Sequence, residues 1–344
     1  MIVNSIKYII SRIYLLIIYI RYWLYKSSFL GSTHFSLPVI CIGNLSVGGT
    51  GKTPMVAYLI ELLQQEYKIG VISRGYKRKT SGFVKVKTTH QSEDVGDEPL
   101  LLKLKYPYTE VTVGEQRIYA IPQLLSFAPD VQTIIMDDGF QHLSVKAQLN
   151  ILLTTYQNPF WNDKILPLGS LREPIQAKDR ADIIIVSNCK PTIANDEMLQ
   201  LEQKINPTPH QKVFFSYIQY NTIYALFHNH SIPDEQLILI TGIANSASIY
   251  SHLNSIHNIQ HYEYNDHHHY TINDFEEILA EEKSKNWITT EKDAVKFLPH
   301  KAWFEAKQIN IWVQPIQIKI KSRNSQTFEQ TIKAYLDYYF TNKY

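Results

Sequence analysis

The sequence predicts an α/β protein organised on a doubly wound, mostly parallel sheet. Three observations predict it. Short apolar runs rich in β-branched residues recur with stretches of helical apolar spacing between them, and buried parallel strands joined by crossover helices read this way. The first such run, residues 37–42, ends in a glycine-rich loop that leads through Lys52 and Thr53 into a helical pattern over 55–65 (Met55, Leu59, Leu62, Leu63). A later run, residues 133–136, ends in the pair Asp137 and Asp138.

The totals set the frame. At 344 residues two domains are expected, and 44% apolar residues is ordinary for a globular chain. A net charge of +2 gives the chain as a whole no basic excess of the kind nucleic-acid binding uses. The two cysteines, Cys41 and Cys189, sit in apolar strand-like runs, which suggests a reducing compartment and no disulfide framework.

Residues 1–30 form the expected N-terminal amphipathic, interfacial helix. Their longest uncharged apolar run is 13–20, bracketed by Arg12 and Arg21, whereas a bilayer span needs about 20 apolar residues. No small-residue cleavage site follows, so a signal peptide is not expected. Lys7, Arg12, Arg21 and Lys26 have no acidic partner nearby, the first acidic residue being Glu61, and Tyr and Trp crowd the same stretch. Cations with interfacial aromatics suit a helix lying in an anionic membrane surface. A helix packed on the protein body is the alternative, and one face could serve each.

The loop after the first strand reads Gly43-Asn-Leu-Ser46-Val47-Gly48-Gly49-Thr50-Gly51-Lys52-Thr53-Pro54. Glycines let backbone N–H groups turn inward around phosphate oxygens, and a helix N-terminus adds partial positive charge. Ser46, Val47, Gly48, Gly49, Thr50, Gly51, Lys52 and Thr53 are therefore the expected nucleotide contacts, with Lys52 at the β and γ phosphates and the Thr53 hydroxyl suited to Mg²⁺. Pro54 sits in the first helical turn, where a missing N–H costs nothing. The usual G-x-x-x-x-G-K-[ST] pattern asks for glycine where Ser46 stands; Gly48 and Gly49 supply the flexibility instead. A glycine-rich turn that binds nothing is the plain alternative, and Gly-Lys-Thr at the position phosphate chemistry needs argues against it.

Residues 68–73 read as a short buried strand followed by Arg74-Gly-Tyr76-Lys-Arg-Lys79, a basic aromatic loop where α/β proteins bind ligands. It suits an anionic group and equally a solvated surface. In Gly96-Asp97-Glu98-Pro99 the acidic pair opens a helical pattern over 100–104, which favours the helix dipole; the sharper reading makes Asp97 or Glu98 a catalytic carboxylate. Residues 111–113 read as a strand with a helix from Arg117 to follow. The 133–136 run with Asp137 and Asp138 matches a Walker B element, whose carboxylate holds Mg²⁺ directly or through water. Residues 150–154 and 183–186 read as further buried strands. Between them Arg172 and Glu173 form a loop pair suited to phosphoryl charge and to metal or water.

The core domain is expected over 31–215, with residues 190–211, polar and bearing three prolines, as the way out. A smaller α/β domain is expected over 216–320. Strands at 212–220 and 308–320 frame it as a possible two-stranded linker, and a C-terminal helix covers 321–344. Asp266-His267-His268-His269 lies inside it. Three adjacent histidines invite zinc, but neighbouring residues point different ways and no second ligand pair is spaced for it; an Asp–His pair in acid–base work is the favoured reading. Thr271 or Asn273 is the expected cap of the helix that follows.

Seven motifs occur in order: the 43–54 loop, Ser73-Arg-Gly-Tyr76, Gly96-Asp-Glu-Pro99, Asp137-Asp-Gly-Phe-Gln-His142, Leu171-Arg-Glu-Pro174, Asp266-His-His268 and Thr290-Glu-Lys-Asp293. In this the chain resembles the tetraacyldisaccharide 4′-kinase (lipid A 4′-kinase) family from its N-terminus to about residue 295. The resemblance implies a P-loop NTPase-like fold and a kinase at the cytoplasmic face of a Gram-negative inner membrane, peripheral or monotopic. It would move the γ-phosphate of ATP to the 4′-hydroxyl of a lipid A disaccharide precursor whose acyl chains stay in the bilayer. It implies Asp97 with His267, or alternatively His268, as the hydroxyl-deprotonating pair. Lys52 and Asp138 complete the catalytic set, and Thr53, Asp137, Asp138 and Glu173 are the residues for Mg²⁺. Arg74, Tyr76, Glu98, Arg117, Arg172 and His268 are the substrate-facing candidates. Asp97 and His267 fall in different domains on the boundaries above, so domain closure would bring them together. No nucleic acid and no obligate protein partner is implied.

Two rivals stand beside this. A partition-type or Mrp-type ATPase switch asks for lysine where Val47 stands, and a GTPase asks for a base-reading Asn-Lys-x-Asp that residues 187–191 do not supply. A membrane scaffold with a relic nucleotide site sits badly with intact Asp97, Asp137, Asp138 and Glu173.

Overall fold

The structure, a computed structural model, describes residues 2–227 and 236–342, without the side chains of residues 2–4. Residues 1, 228–235 and 343–344, which belong to the expected N-terminal helix, second domain and C-terminal helix, lie outside the described residues. The chain divides into two compact units, one of Met1–Arg74, Thr109–Ile218 and Ile318–Tyr344, the other of Gly75–Tyr108 and Gln219–Gln317.

In the first unit, strands stand in the order Ile316–Lys321, Lys212–Tyr220, Ile183–Ser187, Leu149–Thr155, Val39–Asn44, Thr133–Met136, Ile69–Ser73 and Glu110–Val113. The pairs from Lys212–Tyr220 through to Glu110–Val113 are parallel. Val39–Asn44, Ile69–Ser73, Thr133–Met136 and Ile183–Ser187 are buried along their whole length. That is why they read as unbroken apolar runs: helices cover a parallel sheet on both faces. Strands preceding Asp137 lie on one side of Val39–Asn44 and later ones on the other. The order therefore reverses beside the first strand, and such a switch point opens a crevice at the strands' carboxyl ends.

Two expectations need correction. Residues 190–211 are not a bare link. They hold the helix Asn195–Ile205, which buries Met198, Leu201 and Ile205 along one face and belongs to this first unit. The single strand expected over 308–320 is two, Asn310–Gln314 and Ile316–Lys321. Pro315, which has no N–H to give to a ladder, separates them. The C-terminal helix runs Phe328–Thr341, capped by Thr327.

The second unit has its own sheet, in the order Ile259–Glu263, Leu237–Thr241, Asn286–Thr290, Asn310–Gln314 and Tyr224–Ala225. Its pairs are parallel except the last. Alternation along Leu237–Thr241 sends Ile238 and Ile240 to a core with Tyr270, Phe275, Trp287 and Phe304. Leu237 and Leu239 go to another with Ile249, Leu253, Ile288 and Trp312. The helix Asp97–Lys105 lies against the helix Glu291–Phe297 within this unit.

Candidate active-site residues

The loop after Val39–Asn44 has the shape its glycines predict. Gly48 and Gly51 take φ of +112° and +83°, and Gly51 caps the helix Lys52–Leu63 in the left-handed region that a side chain resists. The strand must also pass close to Phe140: a Cβ on Gly43 would stand 2.5 Å from the Phe140 Cβ. The loop is strapped by a neighbouring segment, Val47 N–H donating to the Ser170 carbonyl at 2.8 Å and Arg172 N–H to the Leu45 carbonyl at 2.7 Å.

Lys52 Nζ donates to Asn44 Oδ1 at 3.3 Å and stands 3.7 Å from Asp138 Oδ1. Arg172 forks onto the same carboxylate, with Nη1 and Nη2 at 3.2 and 3.0 Å, and its Nη2 also reaches Asn44 Oδ1. Burial works against charge on Asp138, but Lys52 and Arg172 outweigh it and hold the carboxyl down at about 2. Asp138 is thus an ionised carboxylate facing two cations. Asp137 is buried and accepts from Ser73 Oγ at 2.9 Å. Thr53 is half-buried in the first turn of the helix.

Glu173, expected at the metal, is buried and held elsewhere. Its Oε2 accepts from Arg180 at 2.7 Å and from Gln141 at 3.3 Å. Arg180 in turn donates to the Tyr22 hydroxyl at 2.5 Å. The helix Ile2–Lys26 makes further contacts on that side: Tyr14 OH donates to the Arg172 carbonyl at 3.0 Å and Arg21 to the Gln141 carbonyl at 2.7 Å. Arg117, expected to face substrate, is fully buried and donates to the Gly114 and Asp137 carbonyls, so it braces the end of the Asp137 strand instead. Burial pulls its pKa down to about 10. Arg74 is exposed at the end of Ile69–Ser73.

The second unit holds the two side chains expected to form an acid–base pair. Asp97 opens the helix Asp97–Lys105 and is 6% exposed. Its oxygens lie 2.9 and 3.1 Å from His267 Nδ1. Burial opposes its charge, but the His267 hydrogen bond and the Lys292 and Lys296 ammoniums prevail and hold its pKa at about 2. An ionised carboxylate only accepts, so His267 Nδ1–H donates to it. Asp97 and His267, expected in different domains, belong to one unit and are already in contact. His267 sits at φ +60° in a tight turn, its N–H donating to the Gly242 carbonyl at 3.1 Å.

The two candidate histidines have different partners: His267 meets Asp97, and His268 does not. His268 Nε2 lies 3.3 Å from Asp274 and its ring stacks on Tyr264, beside the helix Ile272–Glu281 that Thr271 caps. His269 is exposed, 2.8 Å from Glu93. Tyr76 stands with its ring centre 5.1 Å from that of His267. Glu98 lies 3.3 Å from Lys292.

Sequence reading missed two lysines. Lys292 Nζ lies 3.2 Å from His267 Nε2 and 3.2 Å from Asp266 Oδ1; buried Lys296 lies 3.7 Å from Asp97 and 2.9 Å from Asp293. Their signal was the Thr290-Glu-Lys-Asp293 turn and its (i, i+4) continuation to Lys296, which put both amines on one helix face. Asn44, a polar residue closing a buried strand, was the third omission.

The model of the tetraacyldisaccharide-1-P 4′-kinase family, LpxK, matches residues 3–337. A Bacteroides fragilis protein named tetraacyldisaccharide 4′-kinase is 37% identical, over 97% of this chain and 94% of its own. One of that name from Flavobacterium johnsoniae is 38% identical over 91% and 96%. A crystal structure of Aquifex aeolicus LpxK, described as an "apo" form in complex with ATP, superposes with a TM-score of 0.76 at 26% identity, over 99% of this chain and all of the other. This chain belongs to the tetraacyldisaccharide-1-P 4′-kinase family.

Proposed function

We propose that the protein is an ATP-dependent kinase that transfers the γ-phosphate to the 4′-hydroxyl of a tetraacyldisaccharide 1-phosphate, a step of lipid A biosynthesis. Beyond the family, the observation that carries the reading is the Asp97–His267 pair at 2.9 Å. A sugar hydroxyl is a poor nucleophile until its proton has somewhere to go. His267 takes that proton at Nε2 as the hydroxyl oxygen bonds to the γ-phosphorus and the bond to the ADP oxygen breaks. The imidazolium so formed is paired with Asp97, which stays ionised. A partition-type ATPase needs no such pair, and Val47 stands where its lysine would be.

ATP is the expected donor, held by the loop Ser46 to Thr53 through its free backbone N–H groups, Val47 N–H being engaged by the Ser170 carbonyl, and by Lys52. The donors near the loop are hard oxygens, the Thr53 hydroxyl and the Asp137 and Asp138 carboxylates, which fits Mg²⁺. Among the described residues no three His, Cys, Asp or Glu side chains gather as a metal cluster; Mg²⁺ held largely by phosphates needs none. Thr53 and Asp138 would hold it, with Asp137 behind, and it would neutralise phosphate charge. Glu173, committed to Arg180, is left out of that set.

The N-terminal helix supports a place at an anionic membrane surface. One stripe, through Ser11, Ile18 and the half-buried Tyr22, packs inward, while Ile6, Ile9, Ile13, Leu16, Ile17, Ile20 and Trp23 are exposed on the opposite side. Lys7, Arg12, Arg21 and Lys26 are exposed too. No described helix is long and apolar enough to cross a membrane. The site of action we propose is the cytoplasmic face of the inner membrane.

The test is incubation of the purified protein with Mg-ATP and detergent-dispersed tetraacyldisaccharide 1-phosphate, read by mass spectrometry. A product heavier by one phosphate is expected. ATP hydrolysis indifferent to the lipid, with no such product, would refute the kinase.

A further inference from the structure

In the proposed reaction His267 works through Nε2, because Nδ1 faces Asp97. Nε2 already has a partner, Lys292 Nζ at 3.2 Å. An ammonium has three donors and no acceptor, so this contact requires a lone pair on Nε2. Asp97, acceptor only, requires the hydrogen on Nδ1. Together the two contacts fix the neutral Nδ1–H tautomer. A protonated Nε2 would set N–H against the ammonium, and Asp266 Oδ2, at 3.6 Å from Nε2, is too far to compensate.

The groups that face this ring, or pair with those that do, come from four stretches. Asp97 and Glu98 are on one helix, Lys292 and Lys296 on a second, Asp266 on the ring's own turn, and Tyr76 on the loop after Arg74. Lys77 Nζ reaches the Asp266 carbonyl at 3.5 Å. Lys292 is shared among Glu98 at 3.3 Å, Asp266 at 3.2 Å and Asp97 at 3.9 Å. It can therefore leave a neutral imidazole nitrogen and remain paired.

We infer that Lys292 is a positioning residue for the base: it donates to His267 Nε2 while no acceptor is bound, and so holds the ring in the one tautomer that can take a proton there. The inference rests on the kinase reading for its purpose. When the acceptor hydroxyl arrives it replaces the ammonium at Nε2. Its proton passes to that nitrogen, while Lys292, still held by Glu98 and Asp266, keeps its positive charge beside the reacting oxygen.

The experiment uses the full chain labelled with ¹⁵N-histidine. Long-range ¹H–¹⁵N correlation spectra at neutral pH report the tautomer of each ring, and a His267→Asn variant identifies the His267 signals. In the parent, His267 is expected as the single Nδ1–H form. In Lys292→Met, which keeps the stem and loses the charge, a mixture of tautomers or a protonated ring is expected, and Lys292→Arg restores the parent pattern. In steady-state assays Lys292→Met lowers kcat about tenfold or more with KM for Mg-ATP unchanged, and Lys292→Arg recovers part of the loss. An unchanged tautomer in Lys292→Met, or an Nε2–H form in the parent, overturns the inference. The kinase reading is judged separately. A parent that phosphorylates no lipid yet shows the Lys292-dependent tautomer refutes the kinase and keeps the Lys292–His267 contact. A parent that phosphorylates lipid with a tautomer indifferent to Lys292 does the reverse.

Discussion

The glycine-rich loop and the Asp97–His267 cluster, for which we propose nucleotide binding and proton acceptance, are built in opposite ways. The loop is one contiguous stretch, residues 43–54, which on the proposed reading works through backbone N–H groups and one lysine. Its position follows from local rules: a buried strand, glycines with positive φ, a helix N-terminus. The proposed base is assembled from side chains far apart in the chain, Asp97, His267, Lys292 and Lys296, brought together by helix packing and a turn. A backbone device tolerates side-chain variation; a side-chain constellation fails when one member moves.

That contrast can be broken first by deletion. Lys52→Ala and Asp97→Ala should each lower turnover by about 10²–10⁴-fold, the range for losing phosphate-charge stabilisation or a base. Only Lys52→Ala should weaken ATP binding, measured by titration of a fluorescent ATP analogue. Equal loss of ATP affinity in Asp97→Ala would erase the division of labour. Next, His267→Asn keeps a donor for Asp97 but has no Nε2, so kcat should fall about a hundredfold or more. His268→Asn, which breaks the contacts with Asp274, Tyr264 and Tyr270 and leaves Asp97–His267 in place, should stay within a few-fold. A larger fall in His268→Asn would move the base by one residue.

Stability gives smaller effects on the backbone side. Gly43→Ala should cost about 1–3 kcal/mol through its clash with Phe140, read from a urea midpoint. Arg117→Met should cost a similar ~1–3 kcal/mol by stranding the Gly114 and Asp137 carbonyls, with KM for the lipid unchanged in the protein that folds. A raised lipid KM at parental stability would return Arg117 to the substrate.

The pH dependence of stability separates the groups last. Burial and then Arg117 depress His142 to about 4 in the folded state. The unfolded chain protonates it near pH 6.5, so stability should decline as pH falls from there toward 4. Asp97 and Asp138, held at about 2 when folded, add stability that is present above about pH 4 and lost as pH falls toward 2. Urea midpoints from pH 7 to 3 on the parent and His142→Asn should show the upper part of the decline vanish in the variant. An unaltered profile would mean that another group titrates there.

The sequence by itself determined the doubly wound sheet, because strands buried on both faces must be continuous apolar runs. It determined the phosphate loop, because a glycine-rich turn before a helix is chemistry written in consecutive residues. It also singled out Asp97 and the histidines as motifs. Only the tertiary structure put His267 rather than His268 beside Asp97, since adjacent residues share a composition but point to different partners. It alone put Asp97 in the unit of His267, because the chain enters that unit twice, at Gly75–Tyr108 and at Gln219–Gln317. It alone buried Arg117 and committed Glu173 to Arg180, because whether a charge faces a ligand or braces a carbonyl depends on what packs beside it.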